Sequence, residues 1–550
     1  MTIHRLSPPL LLALLGACAG HITDNGMPDP LAVSVPTQHN DNTRAGLNDH
    51  ETILKPSNVS VSTFGAVFSL LVDDQVHAQP LVVANLPIAH SYHNVVYVAT
   101  ANNSVYAFDG DDGRLYWHRN YSAAGMRPPK NTDMTGACGG GYNNFSGNMG
   151  IVGTPVIDEA RGVMYFVARG ASISTSGLFA QDLHAVNILT GGDMPGSPVR
   201  ITAAVTGNGD GSVSNVVSFD PQKQNQRSGL TLVNGVVYVS FSSHCDWGPY
   251  HGWVLGYDAT TLLKRYTYND TPNGWAGGMW ESGMGMAADA LGSLYVVTGN
   301  GAVGDSGDAT ILTNRSESAL KLTPSGSTLL VGSYFTPQSY QALNDTDLDY
   351  GTMGSFLIPN SPYFVTGAKT GTLYLLDKDN MGGWVSGADQ VRQVVSLSPS
   401  ANMHCQAAYF KGSTKEFVYV WAENDVLHAI PFSRATNLMD KAGETIYNGG
   451  GGPGGQSGAV LSVSSNGATD STGILWAWYA SSGDAESFVS PGILRAFAAS
   501  DVTHELWNSN LYPARDGAGL YAKFAPPTIA NGRVYLPTFS NKVIVYGLLP

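Results

Sequence analysis

The chain has 550 residues, of which 13% are charged and 65 are glycine, and its formal net charge is −14. This charged fraction lies well below the usual quarter, which together with many glycines fits a turn-rich globular protein and excludes intrinsic disorder. No run of Lys and Arg is longer than two residues. Because a phosphate backbone needs a basic patch, the composition predicts no nucleic-acid partner.

The N-terminus has the pattern of an export signal. A short basic start precedes the apolar run 10–15, which is far shorter than the ~20 residues of a membrane-spanning helix. The segment Leu15-Gly-Ala-Cys18 resembles the bacterial lipoprotein cleavage box, in which the cysteine is lipidated. We therefore expect a signal peptide over 1–17, a lipid anchor on Cys18, and a location in the bacterial periplasm or at the outer membrane. The alternative is an ordinary secretory signal cleaved near Ala19.

The remainder of the chain is built on one repeated phrase. Its first copy, 94–117, has the pattern of a strand, a short turn, a second strand, an Asp-rich turn and a third strand that ends in Trp117. Such a unit is too small to be stable alone, but several units stacked face to face bury one another, as in a β-propeller. The middle strand of this copy and seven related segments along the chain make eight, at 104–109, 183–187, 254–258, 319–322, 373–377, 427–430, 494–497 and 543–546.

We therefore predict an all-β fold, an eight-bladed β-propeller of four-stranded antiparallel blades over 58–550, preceded by a polar tether over 18–57. Segments of small residues, such as 282–286, are predicted to form the innermost strands. The sequence ends directly after the eighth middle strand, which leaves the last blade one strand short. We expect the segment 61–70 to supply that strand and to close the ring; a surface linker is the alternative.

Polar residues stand at the starts of several predicted inner strands. They are His77, Gln79, Arg227, Glu281, His404, Gln456 and Lys523. In a closed ring they would converge at one end of the central channel, where they would either bind a ligand or solvate the channel.

Besides Cys18, the chain has three cysteines, Cys138, Cys245 and Cys405. An exported protein allows one disulfide among them, and the spacing leaves the pairing open. The cysteines lack the CxxC spacing of a zinc knuckle or a haem site.

The phrase that ends at Trp117 resembles the repeat of the pyrroloquinoline quinone (PQQ) enzymes. Trp117 and Trp507 match the tryptophan with which the outer strand of that repeat docks on the next blade. The resemblance covers the chain from about residue 38 to its end at the level of repeats, and it is more specific for the fold than for an activity.

The resemblance implies a cation that polarises the quinone and a carboxylate base that takes the alcohol proton. Asn300 ends a Thr-Gly-Asn turn that matches the calcium-ligand turn of the family. In the stretch 345–350, Asp347 or Asp349 would be the base, and Asp345 would add a calcium ligand. A plain turn asparagine and a solvated acidic loop are the alternatives.

The resemblance also implies residues that bind the quinone. Lys369 stands in a Lys-x-Gly turn that matches the family's cation on the quinone oxygens, although an exposed turn lysine is the alternative. His77 stands near the position at which the family's first inner strand has a glutamate. Trp247 and Trp253 both lie near the position of the stacking tryptophan, and Trp247 is assigned to it.

Two departures weigh against a dehydrogenase. The chain has no vicinal Cys-Cys pair, and the stretch 172–181 has no glutamate to serve as a calcium ligand. The sequence therefore favours a binding or scaffold protein of the cell envelope, with a protein or a glycan on the propeller face. A PQQ- and calcium-dependent alcohol or sugar dehydrogenase with a modified active site is the second hypothesis.

Overall fold

The computed structural model describes residues 27–145, 147–304, 313–486 and 488–550. Cys18 and the predicted signal peptide therefore lie outside the described residues. The protein is all-β, with 43% strand and 5% helix, and its antiparallel sheets follow one another along the chain as in a β-propeller. None of the helices in the described residues has the length and apolar character that crossing a bilayer requires.

The first sheet shows how the repeated phrase folds. Its four antiparallel strands are Leu81–Ile88, Ser91–Ala99, Ser104–Asp109 and Leu115–Asn120. The Asp-rich turn is held by Asp109, whose Oδ1 accepts hydrogen bonds from the amides of Asp111 at 2.9 Å and Asp112 at 3.3 Å. Trp117 Nε1 donates to the carbonyl oxygen of Ile188 at 2.9 Å. The outer strand is thereby fastened to the following sheet.

The following sheets repeat this antiparallel arrangement. The second sheet comprises Met126–Arg127, Val156–Asp158, Val163–Ser172, Phe179–Asn187 and Val199–Arg200, and a two-stranded ribbon of Ala204–Thr206 and Val216–Ser218 follows it. A nine-stranded sheet then consists of two antiparallel halves that meet at one parallel bridge, between Thr267 and Thr328. The halves are Gln224–Asn225, Thr231–Val233, Val236–Ser243, Trp253–Asp258 and Lys264–Asn269, and then Ala287–Ala288, Leu294–Val297, Ala319–Ser325 and Thr328–Phe335.

Three more sheets occupy the C-terminal half. The first of them consists of Met353–Leu357, Tyr363–Ala368, Thr372–Asp377 and Gln393–Ser396. The second consists of Ala408–Lys411, Glu416–Val420, Leu427–Ser433, Leu438–Met439 and Thr445–Tyr447. The third consists of Val460–Ser464, Ile474–Ala480, Gly492–Ala498 and Asp501–Asn508, and the strand Leu47–Asn48 pairs with it in parallel. All eight middle-strand segments of the sequence repeat lie within observed strands.

The last sheet joins the two ends of the described chain. It consists of Thr528–Ala530, Arg533–Pro537, Lys542–Leu548 and the N-terminal strand Phe64–Leu71. Phe64 lies opposite Leu548, and Leu71 lies opposite Lys542. Phe64 is fully buried, and its ring centroid lies 5.1 Å from that of Trp507 and 5.4 Å from that of Trp476.

The hydrophobic core is distributed between neighbouring sheets. Tyr97 of the first sheet packs in one cluster with Phe166 of the second. Tyr165 of the second sheet shares another cluster with Trp253 of the following sheet. Each sheet therefore buries its faces against its neighbours, which is why single units of this repeat have no core of their own.

Helices are few and short. The α-helices are Tyr340–Thr346 and Pro513–Asp516, and the 3₁₀ turns are Asn131–Asp133, Ala137–Gly140, Glu281–Gly283, Lys441–Gly443 and Asp470–Thr472. The predicted inner strand over 282–286 is wrong, because Glu281, Ser282 and Gly283 have φ values of 47°, 46° and 78°. Left-handed residues turn the chain and cannot continue a strand.

The N-terminal segment departs from the polar tether that the sequence predicts over 18–57. Val35, Arg44 and Glu51 in that segment are buried. The Arg44 guanidinium donates to Thr37 Oγ1 at 2.7 Å and to the carbonyl oxygen of Gln38 at 2.6 Å, among other oxygens. Arg44 can be buried here because protein oxygens accept the hydrogen bonds that its guanidinium would otherwise donate to water.

The burial of Phe64 predicts how strongly the N-terminal strand contributes to stability. We expect Phe64→Ala to lower the free energy of unfolding by about 3–5 kcal/mol, because it leaves a cavity beside two tryptophans. Urea denaturation followed by tryptophan fluorescence measures this change. Phe488, which is 71% exposed, provides the control Phe488→Ala, with an expected change within about 0.5 kcal/mol. Equal stability of the two variants would contradict a core role for this strand.

Candidate functional site

The loops that precede the first strands of several sheets, together with loops between the second and third strands, surround a pocket of about 380 Å³. Its charged lining comprises the carboxylates Asp246, Asp347, Asp349, Glu423, Asp484 and Glu486 and the cations Arg227 and Lys369. Trp280 and Phe524 supply aromatic surface. The excess of acidic groups makes most of this pocket favourable for cations and for neutral polar ligands.

Asp349 connects three segments of the pocket wall. Its Oδ1 accepts a hydrogen bond from the backbone amide of Asn300 at 2.6 Å, and its Oδ2 lies 2.6 Å from Lys369 Nζ. The amide of Lys369 also donates to the carbonyl oxygen of Asp349 at 3.0 Å. The structure thus brings together three residues that the sequence assigns to a calcium and quinone site.

The Thr-Gly-Asn turn explains how Asn300 reaches this position. A Cβ atom on Gly299 would lie 2.8 Å from Asp349 Oδ1, so a larger residue here would require the turn or the carboxylate to shift. The side chain of Asn300 donates through Nδ2 to Asp347 Oδ1 at 2.6 Å. Its Oδ1 is buried and has no hydrogen-bond partner among the described residues. An unpartnered amide oxygen therefore lies next to Asp347 and Asp349, which line the pocket, whereas Asn300 itself is not among the described residues that line it.

The other two predicted carboxylates differ in exposure. Asp347 follows the helix Tyr340–Thr346 in a left-handed conformation with φ of 55°, and its side chain is 69% exposed. Its Oδ1 also lies 3.3 Å from Lys369 Nζ. Asp345 is on the exposed side of the helix, where it accepts from Gln341 Nε2 at 2.9 Å, and it is not among the described residues that line the pocket.

Lys369 is held in its charged form. Burial by itself lowers the pKa of this lysine, but the negative charges of Asp349 and Asp347 and the hydrogen bonds to them raise it above its ordinary value. The alternative of an exposed turn lysine does not describe a side chain that is 13% exposed. Lys369 is a permanent cation at the wall of the pocket near neutral pH.

A carboxylate that sequence reasoning missed stands on the same pocket. Asp246 follows Cys245, which also lines the pocket and forms a disulfide with Cys138. The side chain of Asp246 is solvent-exposed at the pocket, although protein atoms surround it on most sides. This enclosure, followed by the negative charge of Asp349, raises the pKa of Asp246 to about 6. The third cysteine, Cys405, is free and buried.

Buried acids without cationic partners lie near these groups. Glu317 Oε2 accepts from the amide of Tyr350 at 2.6 Å, but its Oε1 has no hydrogen-bond partner in the described chain. Burial, and then the charge of Asp349, raise the pKa of Glu317 well above its ordinary value. Burial likewise raises the pKa of Glu281 to about 8. Both acids are therefore largely protonated near neutral pH.

A histidine and a glutamate form a second hydrogen-bonded pair on the pocket wall. His404 Nδ1 lies 2.7 Å from Glu423 Oε1, and both side chains line the pocket. Their side chains are only 16% and 8% exposed.

The aromatic residues are arranged differently from the sequence assignment. Trp247 is not among the described residues that line the pocket; it packs against Gly136, where a Cβ atom would lie 2.2 Å from its Nε1. Trp280 lines the pocket instead, with Gly278 and Gly299 close to its ring. Trp280 could have been found from the sequence, because it directly precedes Glu281, one of the polar residues expected near the channel.

His77 lies deeper than the main pocket. It lines a cavity of about 10 Å³ together with Arg227 and Lys523, and its ring lies 4.9 Å from that of Phe145. Burial, then the positive charges of Lys523 and Arg227, lower the pKa of His77 well below its ordinary value. His77 is therefore a neutral side chain beneath the pocket.

The donor set limits what metal the pocket can hold. Within residues 27–145, 147–304, 313–486 and 488–550, no group of three His, Cys, Asp or Glu side chains is placed to bind a metal ion. A cation would therefore also require the amide oxygen of Asn300. Such hard oxygen donors suit Ca²⁺ better than a transition metal.

The raised pKa of Asp246 predicts a pH dependence of stability. Between about pH 4 and about pH 6 the folded protein binds a proton at Asp246 that the unfolded chain has released. Stability is therefore expected to fall as pH rises through this window, and Asp246→Asn should flatten that part of the profile. Urea midpoints measured across the window test this, with Asp345→Asn as the exposed control. A profile for Asp246→Asn that parallels the wild type would contradict the prediction.

Comparison with known proteins identifies relatives in structure only. No family model and no curated protein sequence matches the chain. The quinohemoprotein alcohol dehydrogenase ADHIIG from Pseudomonas putida HK5 is 15% identical over 94% of this chain and 80% of that chain, with a TM-score of 0.56. The quinohemoprotein alcohol dehydrogenase from Comamonas testosteroni is 14% identical over the same shares, with a TM-score of 0.57.

A third solved structure overlaps more loosely. BamB from Moraxella catarrhalis is 14% identical over 88% of this chain and 99% of that chain, with a TM-score of 0.46, and this overlap does not bear on function. At these identities the likeness concerns the fold alone. The resemblance of the repeats to those of the PQQ enzymes is thereby confirmed for the fold, which is a β-propeller like those of the quinohemoprotein alcohol dehydrogenases.

Proposed function

We propose that this protein is a PQQ- and calcium-dependent oxidoreductase that oxidises an alcohol or a sugar at a modified site. The observation that carries the proposal is that Asp349, which lines the pocket with Lys369, contacts both Lys369 and the amide of Asn300. These residues come from three separate turns, and the sequence assigned them to the cation, the base and the quinone. This geometry reverses the ranking that the sequence alone favoured.

The oxygen donors of the pocket fit a calcium ion. Asn300 Oδ1 is buried without a partner, because Nδ2 of the same amide is turned toward Asp347. Asp349 and Asp246 contribute carboxylates on the pocket side. Calcium takes such carboxylate and amide oxygens in flexible geometry, and it would offset the repulsion among the acids. Asp246 stands in for the glutamate whose absence from 172–181 argued against a metal.

The pocket also fits a planar cofactor. Its volume of about 380 Å³ falls within the usual range for ligand pockets, roughly 300–1,000 Å³. The indole of Trp280 and the Cys138–Cys245 disulfide both border it, so that an aromatic face and a disulfide are present although a vicinal Cys-Cys pair is absent. Lys369 would contact the oxygens of the quinone. When bound, the quinone supplies the electron acceptor for oxidation of the alcohol carbon.

A carboxylate of this chain would accept the proton that the alcohol loses on oxidation. Asp349 is the better base of the two candidates, because it is 6% exposed whereas the side chain of Asp347 is 69% exposed. It would accept the hydroxyl proton of the substrate, and Lys369 Nζ, at 2.6 Å from its Oδ2, would hold the carboxylate in position. Asp347 would orient the Asn300 amide so that its oxygen faces the cation.

We further propose that the sheets form a closed ring of eight blades. The two halves of the nine-stranded sheet count as separate blades, and the strand Phe64–Leu71 supplies the outer strand of the last blade. The pocket would then lie at one mouth of the central channel, where the residues before the inner strands meet. The export signal and the lipid anchor on Cys18 would place this ring in the bacterial periplasm or at the outer membrane.

A second function is favoured by one specific observation. Asp349 and Lys369 already satisfy each other at 2.6 Å, so these two groups need no ion or cofactor. This would suit a binding or scaffold protein of the cell envelope that presents the propeller face to a protein or a glycan. Calorimetric binding of neutral oligosaccharides in the absence of quinone and calcium would support this second function.

Cofactor uptake tests the proposed oxidation. Purified protein is expected to take up PQQ only in the presence of calcium, seen as a shift of the cofactor absorbance, and then to reduce a dye with members of an alcohol panel. Lys369→Ala is expected to weaken this uptake by at least about tenfold, because it removes a charged donor. Asp349→Asn should retain some uptake but lose dye reduction.

Lys378→Ala is the matched control for this experiment. Lys378 follows the next strand of the same sheet and pairs with Asp379 on the surface, at 2.8 Å. Its replacement should leave uptake and dye reduction unchanged. Uptake that is independent of calcium, or equal in Lys369→Ala and Lys378→Ala, would refute the proposed site.

A further inference from the structure

Two cations lie at the floor of the pocket, apart from the calcium and quinone residues proposed above. Arg227 and Phe524 line both the main pocket and the small cavity beneath it, and Lys523 lines the small cavity. The guanidinium of Arg227 lies over the ring of Phe524, at 4.5 Å from its centroid. Lys523 is 3% exposed.

Neither cation has a carboxylate within ion-pair distance in the described chain. The guanidinium of Arg227 has no hydrogen-bond partner among the described residues, only the ring of Phe524. Lys523 Nζ donates to the carbonyl oxygens of Ala485, at 2.9 Å, and Glu486. Lys523 is almost fully removed from water and Arg227 is half-buried, and burying a charge without a charged partner is costly, so an anion at this point would be favourable.

The backbone at this point has an uncommon conformation, which places the ring of Phe524 beside Arg227. Phe524 has φ of 67°, which is an uncommon conformation for a bulky residue. Its carbonyl oxygen accepts from Gln406 Nε2 at 2.8 Å, which holds the turn in place. This turn sets the ring of Phe524 against Arg227 instead of placing an acidic partner there. Strain of this kind persists where the surrounding structure supports a functional geometry.

We propose that Arg227 and Lys523 form a binding site for the carboxylate group of a ligand that occupies the main pocket. A guanidinium offers paired donors that match a carboxylate, and Lys523 adds a second positive charge beneath it. The small cavity of about 10 Å³ has room for about one water molecule, so the carboxylate must approach Arg227 from the main pocket. The carboxylate belongs either to a quinone cofactor or to a separate small organic acid.

The charges around Lys523 make this binding depend on pH. Burial, then repulsion by Arg227, lower the pKa of Lys523 to about 7, although Glu486 and Asp484 act in the opposite direction. His77, the remaining titratable side chain of the small cavity, is neutral. A bound carboxylate favours the charged lysine, so affinity is expected to fall as pH rises above about 7. Glu486→Gln should strengthen binding, because it removes a competing negative charge.

Calorimetry on the full chain with oxalate, at constant ionic strength, tests the site without any requirement for turnover. Oxalate is expected to bind the wild type, and Arg227→Met is expected to weaken binding by at least about tenfold, because a charge-assisted hydrogen bond is lost. Lys411→Met, which removes an equal charge from an exposed position, is the control and should bind like the wild type. Arg227→Met should also be about as stable as the wild type in the absence of ligand, because Arg227 is half-buried and makes no ion pair whose loss would cost stability.

A second arm with PQQ and calcium distinguishes the two sources of the carboxylate. If oxalate and PQQ both lose affinity in Arg227→Met and Lys523→Met, the site accepts carboxylates in general. If only PQQ binds, and it loses affinity in these variants, the carboxylate is that of the cofactor. If no carboxylate binds, or if Arg227→Met binds like Lys411→Met, the proposal is overturned. Oxalate binding without calcium-dependent uptake of PQQ would leave this site standing while refuting the oxidation proposed above.

Discussion

The carboxylate of Asp349 is the centre on which the pocket depends. It receives the amide of Asn300 and the ammonium of Lys369, and its backbone carbonyl receives the amide of Lys369. These contacts join turns that leave two neighbouring sheets, so the spacing of the sheets and the geometry of the pocket are fixed together. Gly299 is part of the same constraint, because a larger residue would require the turn or the carboxylate to shift. The ion pair itself is nearly buried, which makes it stronger than a surface pair and costly to break from one side.

The remaining charges of the pocket divide it into two regions. On the side of Asp349, acids outnumber cations, and Glu317 and Glu281 behind them stay protonated because they are buried. At the floor, Arg227 and Lys523 are cations without acidic contacts. A ligand with a neutral, hydroxylated end and an anionic end would satisfy both regions. A cation such as calcium would neutralise the acidic side, where carboxylates outnumber the cationic side chains of the protein.

The sequence predicted the strands well because the repeat is local. Alternating apolar residues and Asp- or Gly-rich turns specify each hairpin through neighbouring residues, and all eight middle-strand segments lie in strands. Asn300 and Lys369 could be selected because each belongs to a short turn with a recognisable pattern. Asp246 and Trp280 were missed because they lie in loops whose direction no local pattern encodes. Trp247 was assigned to the cofactor from proximity in the chain, yet it packs on the loop of Gly136.

By itself, the sequence determined the all-β class, the repeated antiparallel units and the identity of the polar residues at the strand starts. These properties follow from side-chain periodicity and turn chemistry, which act over a few residues. Only the tertiary structure decided which cysteines pair, that Arg44 is buried in the N-terminal segment, and that Asp349 lies within 2.6 Å of Lys369 Nζ. These contacts join residues that are distant in the chain, and they form only when neighbouring sheets bury their faces against one another.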